Sequence, residues 1–189
     1  NWHWFWDTGN GDIGNQGVHQ MDIALWGMAP GMPKWASSTG GKFAYNDQQE
    51  TPNTQWASLG YYNAELVFEV RGLFTDGDGA LEKRGKNCIG NVFYGTEGFL
   101  VLDDAGYQVY KGENNEKTHD VKARRDSDTS THMENFAKAM RSRNHKELNA
   151  EVEIGVLAAD LCHLANIAYR VGRRINWDPA KQKFVNDPE

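Results

Sequence analysis

The sequence predicts an α+β fold, an open and largely antiparallel sheet with helices packed on one face. Three observations carry that expectation. A short helical pattern lies near the start, strand patterns then fill residues 33–111, and two helical patterns close the chain. Strands and helices thus fall in separate blocks, whereas a parallel sheet needs them to alternate.

Taken in order, residues 1–7 read as an extended aromatic segment with Trp2, Trp4, Phe5 and Trp6, and residues 8–14 as a glycine-rich loop. From Asn15 to about Trp26, Val18, Met21, Ala24 and Leu25 recur at helical spacing, and Gly27 with Pro30 supplies the stop. Residues 33–44 predict a strand ending at Gly40-Gly41, followed by the polar turn chemistry of NDQQETPNTQ. Alternation around Tyr61, Leu66, Phe68 and Val70 predicts strands near 55–62 and 64–72, turning at Asn63 and broken by TDGDGA.

Residues 88–95, 98–103 and 106–111 predict a three-stranded meander, with Glu97-Gly98 and Asp104-Ala105-Gly106 as turns. Residues 112–128 are charged and poor in apolar side chains, and read as a surface excursion. The capping box Thr131-His132-Met133-Glu134 opens a helix with Met133, Phe136, Ala137 and Met140 on one side, ending at residues 141–144. A last helix spans about 150–173, with Val152, Val156, Ala159, His163 and Ile167 spaced for burial. His132 and His163 read as packed core or cap residues.

A length of 189 residues suits one domain with a substantial core. With 39% hydrophobic and 24% charged residues the composition is that of a globular protein, and no apolar run approaches the roughly 18 residues of a membrane span, so no membrane partner is expected. The net charge of −6 argues against nucleic acid, which demands a basic stripe; Arg124-Arg125 and Arg173-Arg174 read as solvated surface. Cys88 and Cys162 match neither a metal spacing nor a disulfide framework, and compartment stays open. The aromatic start at Asn1 is unlike a frayed terminus, so the chain is expected to be one piece of a longer protein.

The stretch GNGDIGNQGVHQMDIALW holds two motifs in competition. Gly9, Gly11 and Gly14 spell G-x-G-x-x-G, but the residues before them are bulky aromatics, Asp12 sets a carboxylate inside the loop, and no acid follows about 20 residues on. The helical reading asks less. Asn15, His19, Asp22 and Trp26 lie at i, i+4, i+7 and i+11 and share one face. An imidazole changes charge near neutral pH and is a natural base for a hydroxyl proton, and Asp22 could hold one ring nitrogen. Such a pair also occurs on helices as a purely structural or surface feature. His3, Asp12, His19 and Asp22 as metal ligands form a further alternative with no tight signature behind it.

GDIGNQGVHQMDIALW resembles the Gfo/Idh/MocA family of NAD(P)-dependent sugar and polyol oxidoreductases, in the domain that follows their Rossmann half. The likeness continues through GGKFAYNDQQETPNTQ, NVFYGTEGFLVLD, HMENFAKAMRSRN and HLANIAYRVGRRINWDP, nearly the whole chain. It implies an open antiparallel sheet packed on helices, with the free sheet face used for homo-oligomerisation. It also implies a catalytic face at His19, with Asn15 where the family has an acid and Asp22 or Asp12 helping. Asn15 can orient a hydroxyl but cannot exchange a proton. A sugar or cyclitol is the expected substrate, with Asp12, Trp4, His3, Glu50, Asn53 and Thr54 as candidate contacts; turn packing and core burial are the other readings of these residues. NAD or NADP is expected mainly on the N-terminal Rossmann domain, so that residues 1–189 alone form a C-terminal substrate-binding and oligomerisation domain, inactive by itself. An NAD-dependent glycoside hydrolase domain and a non-catalytic oligomerisation domain remain as alternatives.

Overall fold

The computed structural model describes residues 2–28, 31–44, 46–72, 88–123 and 129–186. These fall into two compact units, residues 1–73 with 153–189, and residues 74–152. The TDGDGA segment and Arg124-Arg125 lie outside the described residues.

The first unit is built on a five-stranded antiparallel sheet in the order β3-β2-β1-β8-β9, from Glu65–Arg71, Thr54–Gly60, Trp35–Gly41, Ile175–Asp178 and Lys183–Phe184. β2 is its centre of gravity: Ala57 and Leu59 are fully buried, while Trp56 on the opposite face is 49% exposed. The inward face carries Ala36, Ala57, Leu59, Leu66 and Ile175, and it is covered by α1 (Gly11–Asn15), α2 (Gly17–Met28) and α4 (Val152–Val171) through Ile13, Met21, Leu25, Leu161 and Ala165. Small residues on β1 and β2 let these helices approach closely, and the period-two alternation of β2 sends polar and apolar side chains to opposite faces.

The second unit holds an antiparallel meander in the order β4-β5-β6-β7, from Gly90–Gly95, Gly98–Asp103, Gly106–Lys111 and Glu116–Lys122, together with α3 (Ser130–Ser142). Phe99 stacks on Tyr110 at 4.8 Å between ring centroids and also meets Tyr94 on one face of the meander. Cross-strand aromatic contacts of this kind fix a register that a flat strand would leave loose.

Several expectations need correction. The strands form two sheets rather than one, and β7 lies where a charged excursion was expected; every residue of it is exposed, so its pairing with β6 rests on backbone bonds that hydrophobic pattern cannot reveal. β8 and β9 were not foreseen. Residues 2–4 form a 3-10 turn, not an extended segment, and the loop expected over 8–14 is half helix, since α1 occupies 11–15. The N-cap of α3 is Thr129, without a side-chain bond, so the box at Thr131 does not open the helix.

The buried face of α4 is also different. Val152, Val156 and Ile167 are 71%, 51% and 37% exposed and His163 is exposed, while Ala158, Leu161, Cys162, Leu164, Ala165, Asn166 and Ala168 face the core. His132 is likewise exposed. α4 is apolar on both sides, which blurs its period, and close packing on the sheet favours the side with small residues. By length and composition alone α4 is apolar enough to cross a membrane, contrary to the sequence reading; in this fold one side of it is the core of the first unit.

Candidate active site

The helix pair α1–α2 is anchored by apolar residues, with Ile13 fully buried, Met21 1% exposed and Leu25 7% exposed. Gln16 interrupts the two helices, and its N–H bonds back to the Asp12 carbonyl while its own carbonyl accepts from the His19 N–H. Asn15 thus closes α1, while His19, Asp22 and Trp26 lie on α2. Asn15, His19, Asp22 and Trp26 are all exposed, Trp26 by 82%. Among the described residues no side-chain hydrogen bond joins His19 to Asn15 or Asp22, so the carboxylate does not orient the ring here.

Asp12 behaves differently. One carboxylate oxygen, Oδ2, is shut off from solvent and has no hydrogen-bond partner among the described residues. Burial pushes the carboxyl above the ordinary carboxylate range, opposed in part by the nearby His3 ring. A side chain at Gly72 would meet that oxygen at 3.1 Å and the Asn53 carbonyl at 3.2 Å, so Asp12 sits in a corner made by α1, the 51–53 loop and the end of β3.

The remaining candidates form the wall of this corner. His3 packs against Trp4 with ring centroids 3.9 Å apart. The Trp4 carbonyl accepts from the N–H groups of Glu50 and Thr51, and the Glu50 carboxylate accepts from the Trp6 N–H at 2.9 Å. Trp2 is 65% exposed and contributes little to the core, whereas Trp6 lies under the Arg170 guanidinium. Asn53 is 3% exposed, and its amide is committed to the Phe43 backbone, donating to the carbonyl at 2.7 Å and accepting from the N–H at 3.0 Å. Thr54 bonds to the Asn53 side chain. Asn53 and Thr54 therefore brace the loop, and Asp12, His3, Trp4 and Glu50 line its margin.

The glycines do not make a phosphate cradle. Gly11 has φ 75° and lies against Thr51, and side chains at Gly9 and Gly14 would run into the His3 backbone and the Asn10 side chain. The three glycines pack against the chain's own atoms, and among the described residues no parallel strand leads into the loop. The loop at residues 9–14 is therefore not a dinucleotide-binding turn of that kind. No cluster of three or more His, Cys, Asp or Glu side chains suited to a metal occurs among them.

Four side chains that the sequence reading passed over hold the loop in place. Asn166 donates to the Asn10 carbonyl at 2.8 Å, Gln55 donates to Asn166 Oδ1 and to Ser38 Oγ at 3.1 Å each, and the Cys162 thiol donates to the Ile13 carbonyl at 3.2 Å. The signal was present as lone amides, Gln55 in a buried strand and Asn166 in the apolar run LANIA.

Residues 98–189 match a family described as the C-terminal alpha/beta domain of an oxidoreductase family, of the Gfo/Idh/MocA group. Likeness to solved structures extends the fold to the rest. An aldose-aldose oxidoreductase from Caulobacter crescentus, complexed with glycerol, superposes with a TM-score of 0.68 at 12% identity, covering 93% of this chain and 50% of that one. A candidate NADPH-dependent oxidoreductase from Desulfitobacterium hafniense gives 0.68 at 15% identity, covering 96% and 52%. The WlbA dehydrogenase of Bordetella pertussis, in complex with NADH and UDP-GlcNAcA, gives 0.58 at 17% identity, covering 94% and 48%. The chain spans about half the length of these structures. No curated protein matches the sequence.

Proposed function

We propose that this chain is the substrate-binding, histidine-bearing domain of an NAD(P)-dependent oxidoreductase acting on a sugar or polyol. The observation that carries the reading is the shared exposure of Asn15 at the end of α1 and of His19, Asp22 and Trp26 on α2, a helix whose other side is locked into the core. His19 takes the proton of a substrate hydroxyl, Asn15 orients that hydroxyl by hydrogen bonding, and Trp26 offers an aromatic surface to a sugar face. Asp12 and His3 border the neighbouring corner, within the same unit.

Hydride chemistry in this reading is supplied by a nicotinamide held on a second domain outside this chain, in keeping with the cofactors named for two of the similar structures. The open face of the five-stranded sheet, where Trp56 and Val67 are each 49% exposed, is the surface through which copies assemble. Sedimentation of Trp56→Arg against the unmodified protein tests that part.

The test of the chemistry uses the intact natural protein. Nicotinamide reduction is followed over a panel of hexoses, hexuronic acids and cyclitols, and His19→Ala is compared on the best substrate. Turnover should fall by roughly 10²- to 10⁴-fold, the range of a lost general base. Unchanged turnover would remove His19 from the mechanism.

A further inference from the structure

We propose that Asn166, a residue of α4 far from the exposed stripe in sequence, is a positioning residue that fixes the segment carrying Asp12 and Asn15 by holding the Asn10 backbone carbonyl. Its amide is 5% exposed and all of its capacity along this path is engaged, Nδ2 on Asn10 at 2.8 Å and Oδ1 on Gln55 at 3.1 Å. Gln55 is itself 1% exposed and tied to Ser38 on β1, whose hydroxyl continues to the Trp56 carbonyl. The chain of bonds thus runs from the sheet through the core helix to the loop that opens α1.

A second bond closes the device one turn further on. The Cys162 thiol, one helical turn before Asn166, donates to the Ile13 carbonyl, and burial pushes that thiol up to about 12, so it stays a donor at any physiological pH. The two side chains grip the backbone on either side of Asp12, at residues 10 and 13. α1 has only five residues and no side-chain cap of its own, so local propensity cannot hold it. A buried amide aimed at a carbonyl removes the alternative placements that an apolar contact would tolerate.

The inference rests on the reading of the stripe as a catalytic face, but its test separates the two. In the intact protein, Asn166→Leu is compared with His163→Leu, an exposed position on the same helix. Amide exchange of residues 12–15 should accelerate by about tenfold or more when the Asn10 carbonyl loses its donor, while the β2 amides keep their rates. The Asp12 carboxyl, followed by carbon NMR, should titrate closer to the ordinary range as water reaches it. Turnover should fall with little change in KM. Acceleration spread equally over β1, β2 and α4, or an unchanged Asp12 titration, overturns the positioning role. If residues 12–15 loosen as expected but His19→Ala leaves turnover intact, the clamp stands and the catalytic reading of the stripe falls. If His19→Ala is silenced while Asn166→Leu turns over normally, the reverse holds.

Discussion

Replacing Leu161 by Ala tests which side of α4 is the core. Leu161 has no exposed surface and sits between Ala158 and Ala165 against Ile13 and the sheet. The change removes the equivalent of about three methylene groups, roughly 2.4 kcal/mol of transfer free energy at about 0.8 each. The alanines on either side of it, Ala158 and Ala165, have no longer side chains to move into the gap, so a cavity contribution adds to it, for about 3–4 kcal/mol in all. In a chain of this size that corresponds to a fall in Tm of about 6–15 °C. Val156→Ala is the internal control. Val156 is 51% exposed, so deleting its methyl groups should cost less than about 1 kcal/mol. Urea unfolding of the two variants, with equal m-values, gives the comparison directly. Equal losses, or a larger one at Val156, would mean that α4 is rotated and that the Asn166 and Cys162 bonds described above are not made.

The Tyr61 hydroxyl is shut off from solvent and has no partner among the described residues, and burial raises its pKa, so Tyr61→Phe should leave the fold intact and gain about 1 kcal/mol in urea unfolding. The Cys162 thiol, fully buried and pushed up to about 12, should resist a thiol reagent at mildly alkaline pH in the native protein and react once the chain is unfolded; native labelling of Cys162 would contradict its placement. Asp12 carries a folded-state pKa above its unfolded one, so burying its charge opposes folding above that pKa and vanishes below the unfolded value, where both states are protonated. Asp12→Asn should therefore stabilise the protein at neutral pH, with the gain disappearing in acid; a gain that grows on acidification would show that the shift has the opposite sign.

What the sequence could reveal followed from how each residue's role is encoded. The meander at 90–111 is legible because Gly98 and Gly106 sit at tight turns between short alternating runs, and observed strand ends fall within two residues of those expected. The helix around His19 is legible because a 3.6-residue period is a local property, and α2 spans Gly17–Met28 where the spacing predicts a helix over 15–26. β7 was not, because a fully exposed edge strand shows no apolar alternation, and its pairing is a property of β6 as much as of itself. The face of α4 was not, because an apolar helix with alanines on one side and valines on the other offers two periods, and only the sheet opposite decides between them. The Asn166–Asn10 bond joins positions 156 apart, which no spacing rule connects.

If His19 is the base of the proposed reaction, its exposure calls for a second surface to complete the site. An imidazole open to bulk water can exchange protons, but a general base acts with force only when its partner is held and solvent is excluded around the reacting hydroxyl. Within the first unit the ring is exposed, and so is Trp26 on the same helix, an indole left 82% exposed while the inner side buries Met21 and Leu25 almost completely. A helix that spends its apolar residues so fully on the core has no folding reason to leave a tryptophan outside next to a histidine, an asparagine and an aspartate. The combination acquires a reason once a second surface closes over it. Such a cover would dry the stripe, give Trp26 a buried contact and bring a bound polyol against His19. Trp26→Ala should then leave urea unfolding of the chain nearly unchanged while raising KM for the polyol in the intact protein. A loss of stability as large as that from Leu161→Ala would instead make Trp26 a core residue and remove the reason for the cover.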